Sequence, residues 1–313
     1  MISTTEKVSI SELHKAILQA LLYFDVFKYP ITEREIYENC NMLTTEKDVN
    51  RSLNELLTLG YLKQVKHFYM PLWADVDSVQ KRERANKMAI EMMPTALEYS
   101  KRAAQLPFVK GLCISGGLSK NYSNEESDVD FFVITKADRL WLCRSLFIIY
   151  YKMLPKSKKK YYCLNYFISE SDLRIQDENI FVATEISHLI PTFNYSSYLE
   201  LLQKNVWYKK WYMNKPEKSN INCAEMPKSF LARFVEQCFP GRLGSWLDNR
   251  LMDATASRWN KRYASMDRKN FEIQFRSKKN AAKRHEKGYQ HKVLVAHEQK
   301  MKELEEILQV KLN

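Results

Sequence analysis

Between Leu112 and Val133 the chain runs through an apolar segment, a Gly116-Gly117 pair, a polar loop, and a second apolar segment that opens with Ser127-Asp128-Val129-Asp130. Short apolar runs bounded by turn residues read as strands. Side chains alternate along a strand, so Asp128 and Asp130 share one face and Val129 and Phe131 the other. Two carboxylates on one face of an otherwise apolar strand are costly unless something neutralises them. A divalent cation does so most simply, and hard oxygen ligands suit Mg2+ (or Mn2+) rather than zinc. Gly116 and Gly117 carry no Cβ, so backbone there can approach a bulky anion and aim N–H groups at phosphate oxygens. A helical turn starting near Leu118 would add the positive end of its dipole. Together these imply a nucleoside triphosphate held between the Gly-Gly turn and the metal, attack by an acceptor oxygen on the α-phosphorus, and departure of pyrophosphate.

The stretch from Gly116 to Val133 resembles the signature of the DNA polymerase beta-type nucleotidyltransferase superfamily, in which Gly-Ser or Gly-Gly precedes Asp-x-Asp at a characteristic distance. Gly116, Gly117, Ser127, Asp128 and Asp130 fall in step with it. The departures are Gly117 for Ser, Lys120 for Arg and Asn121 for Gly. Lys120 keeps the charge and loses the guanidinium fork, while Asn tolerates left-handed backbone. The resemblance implies an α+β fold built on a nucleotidyltransferase-type mixed sheet with flanking helices. It implies catalytic Asp128 and Asp130 binding Mg2+, and β- and γ-phosphates held by Gly116, Gly117 and Ser119 or Lys120. The implied reaction moves a nucleoside monophosphate from an NTP to a small-molecule, protein or RNA hydroxyl. The superfamily also supplies a third carboxylate from a later strand. Here that strand is Tyr161 to Ser169, and its polar candidate is Asn165, a carbonyl ligand that cannot act as a base. Glu170 and Asp172 just beyond it, and Glu185 on the next helix, are the alternatives. Arg144, on the helix after the Asp pair, is a candidate for reaching the triphosphate, with a surface salt bridge as its other reading. More loosely, the order of segments is similar to a group of little-characterised bacterial nucleotidyltransferase-like proteins with an N-terminal winged helix.

Upstream, apolar residues recur at helical spacing from Ile10 to Phe24 until Pro30 stops them. Thr32 with Glu35 is a capping box, and Thr45 with Asp48 opens a helix whose Val49, Leu53, Leu56 and Leu57 share a face before Gly60. Tyr61 to Met70 alternates as a β-hairpin. Three helices and a hairpin predict a winged helix-turn-helix over residues 1–76, with Lys47, Asn50, Arg51 and Asn54 as the candidate DNA-reading face. Glu46, Asp48 and Glu55 on the same helix oppose phosphate binding. The remaining expectations are a helical connector over 77–106 bent or interrupted by Pro94, the nucleotidyltransferase core over 107–175, and a C-terminal helical domain over 176–313. The last helix of that domain is expected from about His291 to Leu312.

The chain has 313 residues and a formal net charge of +12, and the location of that charge decides what it means. Residues 1–75 carry 8 basic and 10 acidic side chains, whereas residues 251–313 carry 15 and 8. The basic C-terminal region therefore supports an alternative reading: a nucleic-acid-binding or regulatory protein whose core is catalytically inactive. The knot Lys156-Ser157-Lys158-Lys159-Lys160 reads equally as a solvated loop or a phosphate-facing patch. The longest apolar run, Leu140 to Tyr151, is interrupted by Arg144 and is too short to cross a bilayer, so no membrane partner is expected. The start, Met1 to Glu6, lacks the features of a secretory signal, and six cysteines show no C-x-x-C spacing; a cytoplasmic, reduced protein is the expectation. His188 reads as structural, and His285, His291 and His297 as surface residues.

Overall fold

A computed structural model describes residues 10–284 and 288–308. In chain order the elements are α1 (Glu12–Asp25), β1 (Ile31–Thr32), α2 (Glu33–Glu38), α3 (Glu46–Thr58), β2 (Leu62–Val65), β3 (Phe68–Pro71) and α4 (Asp77–Ala104). There follow β4 (Val109–Ser115), α5 (Gly116–Ser119), β5 (Asp130–Thr135), α6 (Leu140–Met153), β6 (Cys163–Ser169), α7 (Ile180–Ser187), β7 (Ile190–Phe193) and α8 (Tyr195–Lys204). The chain ends with α9 (Phe230–Cys238), α10 (Gly241–Arg262), α11 (Arg268–Gln274), β8 (Phe275–Lys278), β9 (Ala281–Arg284) and α12 (Tyr289–Leu308). Contacts divide it into two compact units, one of residues 1–83, 209–216 and 293–313, the other of residues 84–208 and 217–292. This division does not follow four consecutive segments. The expectations placed on Met1–Glu6, His285 and Leu312 lie outside the described residues.

In the first unit the caps form as the sequence dictates. Glu35 N–H donates to the Thr32 hydroxyl at 3.2 Å while Thr32 N–H donates to the Glu35 carboxylate at 2.9 Å. Asp48 N–H donates to Thr45 at 3.2 Å, and Gly60 takes φ +72° just past the end of α3. The three helices bury Ile17, Leu21, Ile36, Val49 and Leu53, and a three-stranded antiparallel sheet of order β1-β3-β2 completes the unit. α12 belongs to this unit from Val293 on, where His297 packs edge-on to Tyr23 at 5.5 Å between ring centres. His297 is thus half-buried rather than a surface residue, and burial lowers its pKa.

The second unit is a mixed six-stranded sheet of order β7-β4-β5-β6-β9-β8 with helices on both faces. β5 and β6 run parallel, joined through α6; the other neighbours are antiparallel. Leu112, Ile114, Phe131, Val133 and Phe167 bury one face against Tyr99 of α4, Trp141 and Phe147 of α6, and α10. The segment 176–313, expected to be helical, therefore also supplies strands, because β7, β8 and β9 all join this sheet. Pro191 is compatible with β7 because β7 is an edge strand, where a missing N–H costs no ladder bond. Pro94 does not interrupt α4. The carbonyl it leaves without its i+4 donor is that of Ile90, a residue 66% exposed, on the side of α4 open to solvent. Among the described residues no helix is long and apolar enough to cross a membrane.

Candidate functional site

At the end of β4, Ser115 lies opposite Asp130 in the antiparallel ladder, and the chain turns at once into the single-turn α5. Gly116 makes that turn at φ +68°, and a Cβ built there would fall 2.1 Å from Oδ2 of Asp130. Glycine is required twice over, by the backbone angle and by the carboxylate that occupies the side-chain position. Gly117 is less constrained, since its Cβ would meet the Tyr122 carbonyl at 3.1 Å. Asn121 adopts φ +56°, a left-handed conformation that asparagine tolerates better than most residues. Val129 and Phe131 are fully buried in the core, which puts Asp128 and Asp130 on the opposite face of the strand as alternation requires. Asp128 is exposed and Asp130 half-buried. Burial raises the Asp130 pKa to about 6, Glu185 and Asp128 push the same way, and the Cys163 thiol and Lys120 pull it back.

Asn165 sits at an irregularity. Phe131 pairs with Leu164 and Phe132 with Tyr166, so Asn165 is the extra residue of a bulge in the parallel pair. The bulge lets consecutive residues Asn165 and Tyr166 both line one cavity of about 50 Å3, together with Ser115, Phe132, Glu185 and Lys283. That volume suits a water-sized guest, since pockets for drug-sized ligands run to roughly 300–1,000 Å3. Around it lies a charge cluster with few signs in the sequence. Lys120 Nζ donates to Glu185 at 2.8 Å and to the Gly116 carbonyl at 2.9 Å. Arg276 pairs with Asp177 at 2.7 Å, and the nearly buried Lys283 donates to Gln290 at 2.5 Å with Asp177 at 3.8 Å. Burial lowers the Lys283 pKa to about 8. Lys283 and Arg276 escaped sequence reasoning because they belong to the β8–β9 hairpin, whose Arg-Ser-Lys-Lys-Asn stretch has no apolar alternation.

Three assignments are not drawn into this arrangement. Ser119 is buried and its hydroxyl donates to the Gly116 carbonyl at 2.9 Å, so it closes the turn instead of facing a phosphate. Arg144 belongs to the helix layer on the other face of the sheet, 6% exposed, its guanidinium 5.6 Å from the Trp141 ring and 5.0 Å from that of Trp259. Its burial among these rings places it away from the Asp130 face, and among the described residues it makes no ion pair. Glu170 stands at the opposite end of β5 and β6 from Asp130, accepting from Ala137 N–H at 3.0 Å and pairing with Lys110 at 3.2 Å. The Lys156–Lys160 knot is a mostly exposed basic 3-10 turn joined to the strand start by Val129 N–H, which donates to the Lys160 carbonyl at 2.8 Å. The ammonium groups of Lys158, Lys159 and Lys160 lie over the Tyr99, Tyr151 and Tyr161 rings, which belong to the helix-layer side of the sheet.

Among the described residues no three His, Cys, Asp or Glu side chains are grouped to hold a metal. Asp128 and Asp130 alone nevertheless fit Mg2+, which commonly takes one or two carboxylates and completes its shell with water and substrate phosphates. Burial is the largest cause of the raised Asp130 pKa, and a bound cation would lower it. No family model, no curated protein and no solved structure matches this chain.

Proposed function

We propose that the chain is a metal-dependent nucleotidyltransferase of the polymerase beta type, transferring a nucleoside monophosphate from an NTP to a hydroxyl acceptor. The observation that carries this reading is the fit of Gly116 against Asp130: a left-handed glycine whose missing Cβ makes room for the carboxylate that ends the Asp-x-Asp. The mixed sheet, with β5 antiparallel to β4 and parallel to β6, supports it. Asp128 and Asp130 would hold Mg2+ and the Gly116–Gly117 turn would take phosphate oxygens. Lys120, already at the turn, offers charge to them. Bound Mg2+ would neutralise charge on the phosphates as pyrophosphate departs. The acceptor oxygen bonds to the α-phosphorus, the bond to the β-phosphate oxygen breaks, and the hydroxyl proton passes to a carboxylate. Glu185 is the carboxylate near Asp130 that the metal does not claim, while Asn165 is confined to orienting through its amide.

Titration calorimetry with non-hydrolysable NTP analogues, with and without Mg2+, tests the site. Binding should require Mg2+ and vanish in Asp130→Ala; equal binding by the variant overturns the assignment. The second reading, a nucleic-acid-binding protein on an inactive core, is favoured by the missing third carboxylate. The first unit, read as a winged helix, gives it little support. Arg51 pairs with Asp48 at 3.0 Å and Asn50 donates to Glu33 at 3.0 Å, so the predicted reading face on α3 is engaged with acidic neighbours. Binding of DNA or RNA that weakens steeply with salt, without NTP binding, would replace the first reading by this one.

A further inference from the structure

α9 is an amphipathic helix turned inside out. The side it presents to the sheet unit carries buried Ala232 and Glu236, whose carboxylate accepts from Phe108 N–H at 2.7 Å and from Lys136 at 2.6 Å. The outward side carries Phe230, Leu231 and Phe234, which are 77%, 70% and 52% exposed. Past the Pro240 turn the first turns of α10 continue the pattern, with Leu243 and Trp246 57% and 56% exposed. Five large apolar side chains left exposed on two consecutive helices mark a place of contact. From Ser229 to Arg250 the exposed charges are Arg233, Arg242 and Arg250, all positive, with Arg250 over the Trp246 ring at 5.7 Å; the next exposed charge along α10 is Asp253, beyond Arg250. The positive charges favour an anionic partner. The two acids of the segment are withdrawn: Glu236 into its ion pair, and Asp248, 1% exposed, onto Leu142 N–H at 2.8 Å.

We propose that the α9–α10 corner is a peripheral docking surface for an anionic lipid bilayer, with Phe230, Leu231, Phe234 and Trp246 entering the headgroup boundary and the three arginines meeting lipid phosphates. Aromatic and leucine side chains flanked by arginine are the composition that lies in the plane of an interface. The attraction grows with the anionic lipid content and is screened by salt. Lying on a surface is a different matter from crossing it, and the absence of a spanning helix among the described residues does not bear on it. The proposal is independent of the nucleotidyltransferase reading, because none of its residues belongs to the Asp130 site.

Co-sedimentation of the full chain with vesicles of phosphatidylcholine alone, and of phosphatidylcholine mixed with phosphatidylglycerol, tests it. Binding is expected to the mixed vesicles, to fall as salt rises, and to drop at least about tenfold in the double variant Phe230→Asp, Phe234→Asp, since burying one such ring is worth more than a decade in affinity. A blue shift of emission on binding should be present in the wild type and reduced in Trp246→Phe. Both phenylalanines are exposed, and NTP-analogue binding or an unchanged melting curve verifies that the variants fold. No binding to anionic vesicles at low salt overturns the proposal, as does equal binding by the double variant. Self-association abolished by the same substitutions, without lipid binding, would assign the face to a second copy of the chain instead.

Discussion

At the scale of single residues, Gly116 and Asp130 are one design. The Asp130 carboxylate occupies the space a Cβ would take at Gly116, so Gly116→Ala meets both a left-handed backbone and a contact of 2.1 Å with Oδ2. The substitution should cost more than about 2 kcal/mol in urea unfolding and abolish NTP-analogue binding. Gly117→Ala, with ordinary φ and a 3.1 Å approach to the Tyr122 carbonyl, should stay within about 1 kcal/mol. Asp130 itself is kept at a cost to stability. Its folded pKa of about 6 lies above the unfolded value of about 3.9, so the native state binds the proton more tightly and stability falls as pH rises between those values. Asp130→Asn should therefore stabilise the metal-free protein at neutral pH by on the order of 2 kcal/mol, and remove that pH dependence, while eliminating transfer. Melting curves across the acidic range check it; a destabilised variant would mean that Asp130 is paired rather than poised. The turn at Gly116 and the face shared by Asp128 and Asp130 were legible in the sequence because glycine's backbone freedom and strand alternation both act within one short segment. Arg144 was not, since a lone arginine on a helix gives no sign of which sheet face its helix covers.

At the scale of elements, capping and apolar spacing placed α1, α2, α3 and the β2–β3 hairpin, where local rules decide structure. Asn165 was picked out as the polar residue of β6, but the bulge that lets it share a cavity wall with Tyr166 depends on register with β5, a pairing no local pattern records. The β8–β9 hairpin was hidden for the same kind of reason: β8 is an edge strand rich in Arg and Lys, as exposed edges tend to be. That hairpin delivers Lys283, whose pKa burial lowers to about 8 from about 10.4 in the unfolded chain. Above about pH 8 the folded lysine has lost its proton while the unfolded one keeps it, so the unfolded state binds more protons and stability rises toward about pH 10. Lys283→Met should flatten part of that rise in a series of urea midpoints. Part should remain, because Lys228 is lowered to about 8 by its own burial. A variant with the full wild-type slope would place Lys283 in solvent.

At the scale of the whole molecule, the chain does not lay down its units in sequence. The first unit takes residues 1–83, then 209–216, and closes with the segment from Val293. Hydrophobic spacing identified the last helix but not its destination, because an amphipathic face says that a helix is buried and not against what. Within the first unit, Val293, Met301, Leu304 and Leu308 are buried, and Lys300 pairs at 2.6 Å with Asp25, whose side chain is 8% exposed. Each such apolar side chain contributes roughly 1.5–3 kcal/mol by burial, so four of them approach the entire 5–15 kcal/mol that holds a typical domain. Removing one partner of the ion pair also strips Asp25 of its cation. Truncation after Lys292 should therefore unfold the first unit and leave the second folded, since Gln290 remains to accept from Lys283. Limited proteolysis reads this directly: the truncated chain should be digested across α1 to β3, and a resistant fragment containing β4 to β9 should survive with its NTP-analogue binding intact. Resistance across α1 to β3 equal to that of the full chain would show that this unit stands without α12.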